Sequence, residues 1–184
     1  MTILIILLLT LISSPLSEKP LTFDFGNSAD KTRDWVLITD NVMGGLSKSE
    51  IIYNANSILL KGDISLDNFG GFSSIRTKFS QLDLSQYEGV KIKFKSTKQH
   101  FAFTLENSQN WTRPNYKNNF HSNKDGTWME ATLYFKDFQE NVIGQPTGKQ
   151  LNLEKLKNIV RIGIITTKKE AGPFSLEVDY IRFF

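Results

Sequence analysis

The chain has 184 residues, 22 Lys plus Arg against 19 Asp plus Glu, and no cysteine. That length fits one domain or one domain with a tail, and a chain of this size buries roughly 70% of its unfolded surface. The absence of cysteine excludes disulfides, thiolate metal sites and thiol catalysis, and a net charge of only +3 argues against a nucleic-acid partner.

Residues 1–17 differ from the rest. Ile3 to Ile12 reads ILIILLLTLI, with one Thr as its only polar member, and no charged side chain precedes Glu18. A run this short does not span a bilayer, but it has the size of the apolar region of an export signal. Ser13, Ser14 and Ser17 supply small residues beyond it. The division expected is a signal peptide over 1–17 and one domain over 18–184, with an exported, periplasmic or secreted product. A mitochondrial presequence should be rich in Arg and amphipathic, and this segment is neither.

The remainder reads as all-β. Short strand candidates are Thr22–Phe25, Glu50–Tyr53, Ser57–Leu60, Phe72–Phe79 and Ile159–Ile165. Val90, Ile92 and Phe94 alternate with Lys91, Lys93 and Lys95. Phe101, Phe103 and Leu105 repeat the period, as do Met129, Ala131, Leu133 and Phe135, and near the end Phe174, Leu176, Val178 and Tyr180. Turn-forming clusters of Gly, Asn, Asp and Ser separate about eight to ten such strands. Only Asn152–Lys157 reads as helical. Alternation with one solvated face predicts antiparallel sheets packed as a jelly-roll β-sandwich, with function on its concave face or end loops.

Three segments break the alternation. Asp40-Asn41-Val42-Met43-Gly44-Gly45 combines turn chemistry with an apolar pair, which predicts a loop folded back onto the body. Asn68 to Arg76 carries a second glycine pair, Gly70-Gly71, into a strand. Arg76 there needs an acceptor, and Asp40 is the expected partner. Ala171-Gly172-Pro173 launches the last strand.

These segments carry a resemblance. Trp35 followed by Asp40 to Ser47 resembles the W…NDxVMGGxS signature of the complex I intermediate-associated protein 30 family. Asn68 to Arg76 resembles its NGGFASVR segment, and Gly172 to Ile181 resembles its closing GPF-x-LEID-x-I. Leu84 to Val90 and Trp128 to Phe138 match in between, so the likeness runs in order over about residues 22 to 183. The resemblance implies a galactose-binding-like jelly roll and a non-enzymatic role without a cofactor. It also implies a protein client, since mitochondrial members assemble respiratory complex I. Asp40, Asn41, Met43, Gly44, Gly45 and Arg76 would then shape the binding surface. The N-terminus reads as an export signal, so the client stays open between a respiratory subunit and another membrane-complex subunit.

The alternative is an exported carbohydrate-binding module. Trp111, Arg113 and Tyr116 lie in one polar stretch, and stacked rings beside amide and Arg donors suit a glycan; a plain β–β loop whose Trp111 and Phe120 plug the sandwich end is the competing reading. His100 reads as a solvated strand residue and His121 as a loop residue. Glu177 and Asp179, two apart on one strand, are spaced for a carboxylate pair or a cation but read better as solvated charges. No phosphate loop, nucleophile elbow or metalloprotease helix is present in the sequence.

Overall fold

The structure is a computed structural model that describes residues 20–26, 35–97, 100–123 and 126–184. The apolar segment at residues 1–17 lies outside the described residues.

Period-2 alternation becomes thirteen strands among the described residues. In chain order they are β1 Thr22–Asp24, β2 Trp35–Thr39, β3 Lys48–Tyr53, β4 Ile58–Ile64, β5 Ser73–Thr77, β6 Gly89–Thr97, β7 His100–Glu106, β8 Asn115–His121, β9 Met129–Tyr134, β10 Gln139–Val142, β11 Gln145–Gln150, β12 Arg161–Thr166 and β13 Gly172–Phe183. The expected helical segment is a 3-10 turn, Leu153–Asn158, capped by the Asn152 side chain, which accepts from the Glu154 amide at 3.0 Å.

The strands form two antiparallel sheets. One runs β3-β4-β13-β6-β9, with β1 added to β13; the other runs β11-β10-β8-β7-β12-β5-β2. The chain shuttles between them, so neighbours in sequence fill both layers and the result is a jelly-roll β-sandwich. Inward-facing positions supply the core. Phe94, Phe101, Phe103, Phe135, Phe138 and Phe183 are fully buried. Phe94 of one sheet meets Phe120 of the other edge to face, ring centres 4.9 Å apart. Trp35 on edge strand β2 packs against Phe23 and Phe25, closing that side.

The lysine face is not free charge. Lys91 pairs with Glu130 at 3.5 Å, Lys93 with Asp179 at 2.9 Å and Lys95 with Glu177 at 2.8 Å. Glu177 also accepts from Ser57 Oγ at 2.5 Å and from Asn54 at 3.1 Å. Both carboxylates raised as cation or catalytic candidates are therefore engaged in a cross-strand ladder on the outer face of the six-stranded sheet.

Candidate functional site

Asp40 is the centre of the first site. It is 1% exposed. It opens the 3-10 turn Asp40–Met43 that follows β2. Its Oδ1 accepts from the Ser47 amide at 3.0 Å. Its Oδ2 accepts from Ser47 Oγ at 2.5 Å, the Gly71 amide at 2.6 Å and the Phe72 amide at 3.2 Å. Burial opposes ionisation, but the hydrogen bonds from Ser47, Gly71 and Phe72 outweigh it and hold the carboxyl below its ordinary range. One carboxylate thus ties the first glycine-pair loop to the second.

The two glycine pairs divide the work. Gly44 at φ +87° and Gly71 at φ +121° adopt backbone that L side chains rarely take. Gly45 and Gly70 give room instead: a Cβ on Gly45 would stand 2.5 Å from Asp40 Oδ1, and one on Gly70 2.6 Å from Oδ2. Asn41 adds a further tie when its side-chain amide is assigned with the nitrogen toward the carbonyls of Gly45 and Ser47, to which it then donates at 2.6 and 3.2 Å. Asn68 links the loops directly, donating to the Gly44 carbonyl at 3.3 Å.

Two expectations are corrected here. Asp40 does not pair with Arg76. The Asp40 oxygens are filled by Ser47 and by the Gly71 and Phe72 amides, and Arg76, on β5, extends across the sheet to Glu106 Oε1 at 2.9 Å. Nor does the Val42-Met43 pair fold onto the body. The tight backbone is satisfied at Asp40, so the side chains are turned out: Val42, Met43 and Leu46 are exposed, as are Leu66 and Phe69 on the facing loop. Phe69 is wholly exposed although Asn68 and Phe69 both hold positive φ, 53° and 60°. Between the loops is a depression of about 450 Å³ lined by Asn41, Gly45, Leu46, Lys48, Ser65 and Asp67.

The predicted aromatic surface is split. Trp111 and Arg113 are exposed on the loop from β7 to β8. Tyr116 does not join them. It is 4% exposed, because β8 begins at Asn115 and turns every second residue inward, and its hydroxyl donates to Glu140 at 3.4 Å. His121 is a strand residue rather than a loop residue; it pairs with His100 across β7 and β8, rings stacked 4.8 Å apart.

Sequence reading missed a charged cluster on the outward face of the seven-stranded sheet. Glu106 on β7 accepts from Arg76 and, through Oε2, from Arg161 Nε at 3.0 Å and NH2 at 2.7 Å. Lys117 on β8 stands beside it. The available signal was period-2 placement: Glu106 follows Leu105 and must face out, where Arg161 meets it in register.

The complex I intermediate-associated protein 30 family model matches residues 23–178. No curated protein matches the chain. Among solved structures, the chain is similar to the family 11 carbohydrate-binding module of the cellulosomal cellulase Lic26A-Cel5E of Clostridium thermocellum. The TM-score is 0.64 at 18% identity, covering 92% of this chain and 95% of that one. A second structure of a family 11 module from that organism, in complex with a β-1,3-1,4-mixed-linked tetrasaccharide, gives a TM-score of 0.57 at 17% identity, with 82% and 88% covered. The agarase AgWH50C gives 0.55 at 13% identity over 89% of this chain and 24% of that chain. At these identities the structural likeness bears on fold alone, and it agrees with a galactose-binding-like jelly roll. The family match takes in both glycine-pair loops and extends to within six residues of the chain's last strand ending, and on it the chain belongs to the complex I intermediate-associated protein 30 family.

Proposed function

We propose that the chain is a non-enzymatic binding domain of the assembly-factor kind, whose loop end takes a protein client, a subunit of a respiratory or other membrane complex. Family membership supports the class of role. The observation that carries the location is what the signature loops do. Asp40, four glycines and Asn68 fix two loops, and those loops hold Val42, Met43, Leu46, Leu66 and Phe69 in solvent. Strained backbone that displays apolar side chains marks a contact surface, since exposed apolar groups gathered in one patch gain most from being covered. The ten-residue apolar run near the N-terminus supports export of the domain.

The test is affinity purification of the tagged chain from membranes of its native cells. Subunits of a membrane complex should co-purify with the parent and be lost with the Met43→Ser, Phe69→Ser double variant, which should melt like the parent because both side chains are exposed. A client retained by that variant would remove the loop end from the reading.

A second reading, an exported carbohydrate-binding module, is favoured by the likeness to family 11 modules over nearly the whole chain and by exposed Trp111 beside Arg113. Retardation in a polysaccharide gel that Trp111→Ala abolishes would support it.

A further inference from the structure

The outward face of the seven-stranded sheet holds more positive charge than it neutralises. The register sets Arg76, Gly163, Thr104 and Lys117 in one row across β5, β12, β7 and β8. Arg161, Glu106 and Asn115 form the next row. Gly163 is the seat of this arrangement. A Cβ there would come within 2.8 Å of Arg76 Cγ and 3.1 Å of Thr104 Oγ1, so the Arg76 stem lies across a position that only glycine leaves open. Arg76 and Arg161 share the single carboxylate of Glu106, and the three side chains are only 19%, 12% and 10% exposed in that order.

Three cations face one anion. Arg76 Nε donates to Ser74 Oγ at 3.2 Å and NH1 to Glu106. Lys117 is half-buried, yet among the described residues its ammonium has no hydrogen-bond or ion-pair partner. Burial, with Arg76 next, lowers the Lys117 pKa, against a smaller pull from Glu106. Thr104 Oγ1 and Asn115 Oδ1 are buried without partners as well. Desolvated polar groups of this kind cost stability unless something completes them.

We propose that this face binds an acidic polysaccharide, its carboxylate or sulfate seated between Lys117 and Arg76 above Gly163 and Thr104. The seat has the chemistry for an oxyanion: a fork of Arg donors and a point-charge ammonium over a small-residue floor. Its surroundings favour a glycan over an acidic peptide. Asn119 and Gln139 are exposed on the same face beside the row, and amides both donate to and accept from sugar hydroxyls. The stacked rings of His100 and His121 extend the face beyond Asn119. This deepens the carbohydrate reading and is independent of the loop-end client.

The experiment is calorimetric titration of the full chain at low salt with four probes: oligogalacturonate, a sulfated carrageenan oligosaccharide, a neutral mixed-linked β-glucan oligosaccharide and polyglutamate. At least one acidic glycan should bind tenfold or more tighter than the neutral one, and which of the two binds identifies the anionic group. Lys117→Met should weaken that binding at least tenfold while leaving the melting temperature unchanged or raised, because it removes a half-buried charge that no ion pair completes. A purely structural lysine would instead lower it. The proposal is overturned if neither acidic glycan binds, if polyglutamate binds as well as they do, or if Lys117→Met binds like the parent. Neutral glucan bound as tightly as the acidic probes would overturn the acidic class while supporting the broader carbohydrate reading.

Discussion

Asp40 shows how much one residue organises. Its carboxylate receives four hydrogen bonds, three from backbone amides that no sheet partner serves. Hydrogen bonds to a buried charge are worth about 1.5–3 kcal/mol, and orphaned donors add a desolvation penalty. Asp40→Ala is therefore expected to cost about 3 kcal/mol or more, and Asp40→Asn less, since an amide keeps one acceptor. Urea unfolding of the parent and both variants checks this; an unchanged midpoint for Asp40→Ala would mean that the loops hold without the carboxylate. Each loop was legible in the sequence because its turn chemistry is local, Asp-Asn and a glycine pair; the tie between the loops, from the Gly71 and Phe72 amides to Asp40, was not. The partner of Arg76 was not legible. Asp40 and Arg76 are complementary on paper, but the true partner, Glu106, is 30 residues away and is brought near only by the register across β12 and β7. Lys117 was hidden for the same reason, inside an amide-rich run with no loop motif.

At the scale of elements, the β10–β11 hairpin is the least optimised part of the fold. Val142 pairs with Gln145, so Ile143-Gly144 is a two-residue turn, and both residues have positive φ, 48° and 76°. This geometry suits Asn-Gly, whereas a β-branched residue there is strained. Ile143 is half exposed and loses little burial on replacement. Ile143→Asn should stabilise the protein by about 0.5–1 kcal/mol, read as a rise of about 2–4 °C in melting temperature per kcal/mol. A fall would mean that contacts of the Ile143 side chain outweigh the strain. The same hairpin explains why the strand count was underestimated. β11, Gln145–Gln150, is exposed at every position, so it carries no apolar alternation; its pairing with β10 and its Pro146 mark an edge. In β8 the inward positions are Tyr116, Asn118 and Phe120, and one Asn in the middle suffices to disguise the period. The most legible strands, β7 and β9, have uniformly apolar inward positions; β6 is apolar inward up to Ser96, and in β13 a bulge between Val178 and Tyr180 turns Tyr180 outward, against the expected period, and puts Ile181 and Phe183 inward. β2 fell between these cases, its Val36-Leu37-Ile38 run blurring which face was inward.

For the molecule as a whole, a net charge of +3 conceals two unlike faces. The outer face of the six-stranded sheet is a ladder of paired charges, and that of the seven-stranded sheet holds cations in excess. The ladder and Asp40 together set the response to acid. Glu130 lies below the ordinary carboxylate range chiefly through the Tyr180 hydroxyl, with burial opposing and Lys91 assisting. Glu177 lies low because hydrogen bonds from Lys95, Ser57 and Asn54 overcome its burial. Asp40 is low for the reasons given above. A carboxyl depressed in the folded state binds protons more readily when unfolded, so it stabilises the fold above its unfolded pKa and loses that contribution as pH falls through the folded value. The unfolded values lie near 3.8 for Asp and 4.5 for Glu. The melting temperature should thus show no loss from these three groups between about pH 8 and 5, and should fall progressively below about 4.5. The ladder carboxylates are partly exposed and screened by water, so each should contribute modestly and less at high salt. Asp40 is buried and should contribute the salt-insensitive share. Melting curves from pH 7 to 2.5, at low and high salt, for the parent and Asp40→Asn separate the two. The variant, already less stable at neutral pH, should lose less on acidification than the parent, and that difference should persist in high salt. Parallel curves would show that Asp40 titrates alike in the folded and unfolded chain, and that the carboxylate at the centre of the loop end is not held ionised by the fold.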